Sequence, residues 1–207
     1  MKRKKGVVEK RKKAKGSISK EAEKKIILDL NVLARAVASH KERGQIVVAT
    51  IGSWDMIHRG HVRYIARAQA EGDILIVGAD SDRAMKSYKG EERPIIPENE
   101  RLEMLAYLSS VDYATLVDDV DSDGNWGYEL LKVVKPHIYI AVDDSYPKEQ
   151  LEEIAGYCED RVIVLPRQAD TSTTGTIEKA IKIRGAKVIA KLEEVLSEIR
   201  EMVGVKQ

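Results

Sequence analysis

QIVVATIGSWDMIHRGHVRYIARAQAEG, residues 45–72, decides the fold. It opens on Gln45–Ile51, a short apolar run rich in β-branched residues, which suits a strand covered on both faces. It closes on Ile57 to about Glu71, where apolar side chains return at helical spacing until Gly72 supplies a stop. Between the two lies Gly52-Ser53-Trp54-Asp55-Met56-Ile57-His58-Arg59-Gly60-His61, a turn that passes directly from strand to helix. A glycine turn at a helix head offers backbone N–H groups to an anion, and Gly52 allows a sharp bend with close ligand approach.

Working outward, the same alternation continues. Strands are expected at Asp73–Ala79, Tyr113–Val117, His137–Val142 and Arg161–Leu165, with helices at Glu98–Leu108, Tyr128–Val134 and Pro147–Tyr157. Lys89–Pro97 reads as part of a longer loop. Two further helices are expected near the end, one from Thr174 to about Ile183 and an amphipathic one over Lys187–Met202. Upstream, a single helical stripe runs from about Ala22 to Arg43, with Gly44 as its stop. Strands alternating with helices imply a Rossmann-like, doubly wound, five-stranded parallel α/β sheet with flanking N- and C-terminal helices. Ligands of such sheets bind at the carboxyl ends of the strands, so the chemistry is expected after Ile51, Ala79, Val142 and Leu165.

The 207 residues fit one ordinary domain, expected over residues 22–207, behind a basic flexible tail over residues 1–21. With 43% hydrophobic residues a core is attainable, and a net charge of +1 gives no global nucleic-acid signature. The tail reads as a solvated segment rather than an arm for nucleic acid or a membrane surface. One cysteine, Cys158, precludes an internal disulfide and a cysteine-rich zinc site, which suits a cytoplasmic protein. No run approaches the length of a membrane span, and no apolar stretch follows the basic start as in a secretory leader.

His58 and His61, three apart at the start of a helix, share one face. Such a pair is compatible with an exposed surface pair, half of a metal site, or two donors to phosphate oxygens. Their place at the end of the first strand favours the phosphate role. No third histidine or cysteine lies nearby in sequence to complete a metal site. Gly60 keeps the ligand side of that turn free of a side chain.

Gly52–His61 resembles the G-[ST]-[FW]-D-x-x-H-x-G-H signature of the cytidylyltransferase-like nucleotidyltransferase superfamily. His61–Ile65, Asp73–Gly78 with Ser81-Asp82, Lys89-Gly90, Arg93-Pro94-Ile95, Arg101-Leu102 and Val111-Asp112-Tyr113 are similar to the ADP-heptose synthase domain of that superfamily. The likeness covers about residues 24–183. It implies Mg²⁺-dependent transfer of AMP from ATP to a sugar 1-phosphate, with pyrophosphate released. Related branches use CTP with glycerol 3-phosphate, or ATP with FMN. It also implies a homodimer, which fits the apolar faces of the end helices.

Under this resemblance His58, His61 and Lys89 are the catalytic candidates, with Lys86 a weaker cation. Gly52, Ser53, Trp54, Gly60 and the segment Arg167, Thr171, Ser172, Thr173 and Thr174, which resembles the family's R-x-x-x-x-S-T-T, are the nucleotide-binding candidates. Asp55, Asp82, Arg93, Asp143 and Asp144 are the acceptor-side candidates, with Asp55 alternatively orienting the first loop and Arg93 alternatively holding loop and helix. Arg101 either faces substrate or holds the loops. Ser172 and its neighbours are expected to cap a helix in any case. Mg²⁺ is expected on phosphate and water oxygens, without protein ligands.

Two features depart from the pattern. Ala141-Val142-Asp143-Asp144 places valine where heptose enzymes carry K-G-G-D and glycerol-phosphate enzymes carry G-D-D, which leaves ATP against CTP open. The acidic stretch Asp119–Asn125 lacks the spacing of a calcium loop. The sequence thus points to NMP transfer from an NTP, ATP favoured, to a phosphorylated small molecule. CTP-dependent transfer to an alcohol phosphate, FMN adenylyl transfer and a non-catalytic nucleotide-binding regulator are the alternatives.

Overall fold

The computed structural model describes residues 18–121, 125–143 and 145–203. The first 17 residues of the basic tail, Asp144 and part of the Asp119–Asn125 stretch lie outside the described residues. Five parallel strands form one sheet: β1 (Val47–Gly52), β2 (Ile74–Asp80), β3 (Tyr113–Val117), β4 (Ile138–Val142) and β5 (Arg161–Leu165), in the order β3-β2-β1-β4-β5. β1 lies alongside β2 from Val47↔Ile74 to Gly52↔Ala79 and meets β4 at Val48↔Ile138. The doubly wound parallel sheet is therefore as expected.

The two-residue period of a strand sorts the core into two layers. Val47, Ala49, Ile74, Ile76, Tyr139 and Ala141 pack under α2 (Leu30–Glu42), α6 (Glu129–Val134) and α7 (Lys148–Ala155). Their neighbours Val48, Leu75, Val77, Ile138 and Ile140 pack on the opposite face, under α3 (Arg59–Gln69) and α5 (Glu98–Ala106). The chain leaves β1 toward one face and β4 toward the other, which opens a crevice at the carboxyl ends of these adjacent strands.

Four local expectations are corrected. The single helix expected over 22–43 is two helices, α1 (Lys20–Lys25) and α2. Ile26 bridges Ala114 at the β3 edge, the Ile27 N–H donates to the Ala114 carbonyl at 2.9 Å, and the Asp29 carboxylate then caps α2. Both pieces face the core, so their apolar periodicity is unbroken across the gap. Ser19 caps α1 through the Ala22 N–H, so structure begins ahead of the boundary expected at residue 22. The stretch after β2 holds α4 (Asp82–Lys89), capped by Ser81 and stopped by Gly90 at φ 91°, so Lys89 ends a helix instead of riding a loop. The two final helices are one, α8 (Thr173–Val203), 31 residues long. Gly185 sits inside it, and an exposed glycine costs a helix only about 1 kcal/mol. Among the described residues no helix is long and apolar enough to cross a membrane.

Candidate active site

A cleft of about 530 Å³ lies over the β1–β4 crevice, and Gly52, His58, His61, Lys89 and Ser172 all line it. One wall is the turn after β1. Trp54 and Met56 hold left-handed backbone, each at φ 50°, and these two non-glycine residues make the bend expected of Gly52. Gly52 instead gives room: a Cβ there would lie 3.3 Å from the Trp54 ring. That ring is 4% exposed, and its indole N–H donates to the Gly78 carbonyl at 2.8 Å. Trp54 thus backs the cleft as a core residue, with no free polar handle for a nucleotide.

The two histidines meet, although only His61 lies within α3; His58 is its N-cap. Their rings stack with centroids 4.0 Å apart. His58 Nδ1 accepts from the Gly60 N–H at 3.0 Å, and His61 Nδ1 accepts from the His58 N–H at 3.4 Å. An acceptor Nδ1 leaves the proton of a neutral imidazole on Nε2, so each ring keeps Nε2–H as a donor. Gly60 makes this possible, since a Cβ there would lie 2.8 Å from His58 Cε1 and 3.3 Å from the Ala169 Cβ. Burial, together with the charges of His58 and Lys89, brings the His61 pKa down to about 4, and burial lowers that of His58. Near neutral pH both act as uncharged donors, not as cations.

The opposite wall is the head of α8. The Thr173 hydroxyl donates to the Asp55 carbonyl at 2.8 Å, which ties this helix to the β1 turn. Ser172 Oγ accepts from the Gly175 N–H at 3.0 Å, a capping bond that leaves the neighbouring N–H groups at the positive end of the helix. Arg167, Thr171 and Thr174 line the same side. Lys89 closes the rim, its Nζ donating to Ser53 Oγ at 2.8 Å. Burial and the nearby Arg93 lower its pKa.

The acceptor-side candidates divide. Arg93 lines the cleft. Asp55, 1% exposed, is outside the lining: Arg93 grips it at 2.7 Å, and the N–H groups of Ile95 and Ile96 donate to it at 3.0 and 2.9 Å. Burial would raise its pKa, but these donors hold it below the usual carboxylate range. It clamps the β2–α5 connection to the signature turn. Asp82 pairs with Arg101 at 2.8 Å, away from the cleft. Asp143 is exposed and not among the lining residues, and Asp144 lies outside the described residues. Lys86 is exposed and does not line the cleft. Arg101 holds the loops: fully buried, it donates to the carbonyls of Ser53, Asp80 and Ile96.

The remainder of the cleft was not expected from the sequence. Asp80 and Asp119 line it, and one oxygen of each, Oδ1, has no hydrogen-bond partner. The other Asp80 oxygen accepts from the Tyr88 hydroxyl. Burial pushes the Asp80 pKa up to about 6 and also raises that of Asp119. Around them stand Tyr88, Trp126, Tyr128 and Tyr146, with Tyr88 and Trp126 edge to face at 5.8 Å. The hydroxyls of Tyr128 and Tyr146 are taken by Glu153 and Tyr139, both at 3.0 Å. The available signal was acidic and aromatic residues at or after the carboxyl ends of β2, β3 and β4, where ligands of such sheets gather.

Residues 49–189 match the sequence model of a family described as cytidylyltransferase-like. A bifunctional protein HldE of Geobacter sulfurreducens is 35% identical over 77% of this chain and 32% of that protein. Its counterpart in Citrifermentans bemidjiense is 44% identical over 80% of this chain and 33% of that protein. The chain spans about a third of the length of these curated relatives. Among solved structures, a pantoate-beta-alanine ligase from Francisella tularensis superposes with a TM-score of 0.53 at 16% identity, covering 70% of this chain and 67% of that one, a likeness of fold alone.

Proposed function

The chain belongs to the cytidylyltransferase-like family, nucleotidyltransferases by class, and on that premise we propose that it transfers the NMP of an NTP, ATP favoured, to a phosphorylated small molecule such as a sugar 1-phosphate, releasing pyrophosphate. The observation that carries this reading is the tie between the His58–His61 turn and the head of α8, which brings two walls from distant segments together around one anion-holding hollow.

The chemistry follows from the donors. A triphosphate laid in this hollow meets two imidazole Nε2–H groups, the helix-end N–H groups and the Lys89 ammonium. These stabilise charge as it moves onto the leaving pyrophosphate. The acceptor is already an anion, so its oxygen attacks the α-phosphorus without a strong general base. The new P–O bond forms in line with the one that breaks, and the protein contributes position and charge neutralisation. Among the described residues no group of three His, Cys, Asp or Glu could hold a metal, but Mg²⁺ needs few protein ligands. The ion is placed on phosphate and water oxygens, where it would supply further neutralisation of phosphate charge. The acceptor's remaining part is assigned to the aromatic and carboxylate half. Its free oxygens call for hydroxyl donors, and its ring faces suit the apolar edge of a sugar. A second copy as partner and a cytoplasmic setting belong to the same proposal, the latter supported by the single cysteine.

A pyrophosphate-release panel of ATP and CTP against a sugar 1-phosphate, glycerol 3-phosphate and FMN tests it. The expected signal is ATP with the sugar phosphate. A signal only with CTP, or only with FMN, would replace the substrate pair. Tight nucleotide binding with no pyrophosphate from any acceptor would make the chain a nucleotide-binding regulator.

A further inference from the structure

Only the first turns of α8 belong to the cleft. Farther along, Ile181, Val188, Leu192, Val195, Ile199 and Met202 are 39–78% exposed. With Gly185 in the remaining place, they recur in alternating steps of four and three over about 32 Å of helix. Ile189 and Leu196, seven apart, widen the stripe on one side. A period of 3.5 residues differs from the 3.6 of a straight helix, and the mismatch is removed when the helix winds around another with the same repeat. Isolated exposed apolar side chains are ordinary, but a continuous stripe of this length marks an interface.

Charge says what covers it. Lys179–Lys191 carries five cations and no acid, whereas Glu193–Met202 carries four acids and one cation, Arg200. The sign changes at Leu192, which is also the middle of the apolar stripe. Two copies side by side in the same direction would set cations on cations and acids on acids. Reversing one copy about Leu192 sets each basic half against an acidic half while the apolar faces still meet. The stripe complements itself under a two-fold axis, as identical subunits require.

We infer that α8 pairs with α8 of a second copy as an antiparallel coiled coil centred near Leu192. The two catalytic domains then stand at opposite ends of the paired helices, with both clefts open. This supplies the surface and direction for the homodimer proposed above, and it is read by mass, not by transfer activity, so the two readings fail separately.

The test uses the full chain in sedimentation velocity over a concentration series. The unaltered protein is expected at twice the chain mass. The double variant Leu192→Lys with Val195→Lys, both on an exposed face, is expected to be monomeric with unchanged melting of the domain and unchanged nucleotide binding. Lys187→Glu with Lys191→Glu should weaken the dimer at least tenfold. Adding Glu193→Lys with Glu194→Lys to the same chain should restore it to within about threefold. A monomeric unaltered protein, or a dimer that survives Leu192→Lys with Val195→Lys, would overturn the pairing. Failure of the second charge swap to restore association would overturn the antiparallel direction.

Discussion

The two halves of the cleft solve opposite electrostatic problems. The half built from the β1 turn and the α8 head satisfies its side chains with backbone N–H groups and carbonyls, and keeps imidazole donors for a ligand. The half built around Asp80 and Asp119 leaves carboxylate oxygens buried without partners. Burial accordingly drives His61 down and Asp80 up, each toward its uncharged form. The first half is thus prearranged before any ligand arrives, while the second is incomplete until something donates to it. Under the proposed function, anchorage of the NTP and choice of the acceptor are separated in space, so one half holds a constant group while the other selects.

The largest effect should come from the prearranged half. His61→Ala removes a phosphate donor, and turnover in the pyrophosphate assay is expected to fall by about 10²–10³ with the melting temperature nearly unchanged. Near-normal turnover would dissolve the distinction between the halves. The acidic half should behave in the reverse sense. Asp80→Asn removes a buried charge, so urea denaturation at pH 8 should show a gain of roughly 1–3 kcal/mol, while the acceptor KM rises. A loss of stability in that variant would mean the carboxylate is compensated in the free protein.

pH sharpens the contrast. The His61 pKa falls from 6.5 unfolded to about 4 folded, so the unfolded chain binds the extra proton and stability is lost as pH drops through that window. The Asp80 pKa rises from 3.8 to about 6, so the folded chain holds the extra proton and stability is lost as pH rises through that window. Between about pH 4 and 6 the two slopes oppose. Asp80→Asn should unmask the loss on acidification, and His61→Gln should unmask the loss on raising the pH. Denaturation curves at stepped pH check both, and parallel profiles in the two variants would refute the assignment. The smallest effect is expected at the tie between the walls. Thr173→Val deletes the hydroxyl bond to the Asp55 carbonyl, about 1 kcal/mol, and should raise the NTP KM more than it lowers kcat.

What could be read in the sequence follows the same division. β3 and β5 fall at the expected residues because a short apolar run bounded by polar turns has one reading. The two segments that line one half of the cleft were legible because Gly52–His61 is contiguous and Arg167–Thr174 heads a helix. α4 was missed because only Ala84 and Met85 of its eight residues are buried, too few to set a period, although Ser81 and Gly90 mark both ends. The carboxylate and aromatic half was missed because Asp80, Tyr88, Asp119, Trp126 and Tyr146 are scattered along the chain with no shared spacing. Only the winding of the sheet brings them together. Of the two roles open to Asp55, its contacts match the orienting one. Its position in the signature left both open, because its partners, Arg93, Ile95 and Ile96, lie about forty residues away.

The Arg101 guanidinium, sealed beneath the rim, takes hold of main-chain oxygens from three separate connections, at Ser53, Asp80 and Ile96. Peptide oxygens are the same whatever side chain they accompany. The rim can therefore exchange its amino acids and keep its outline, so a single buried cation leaves the mouth of the catalyst free to acquire new preferences by mutation.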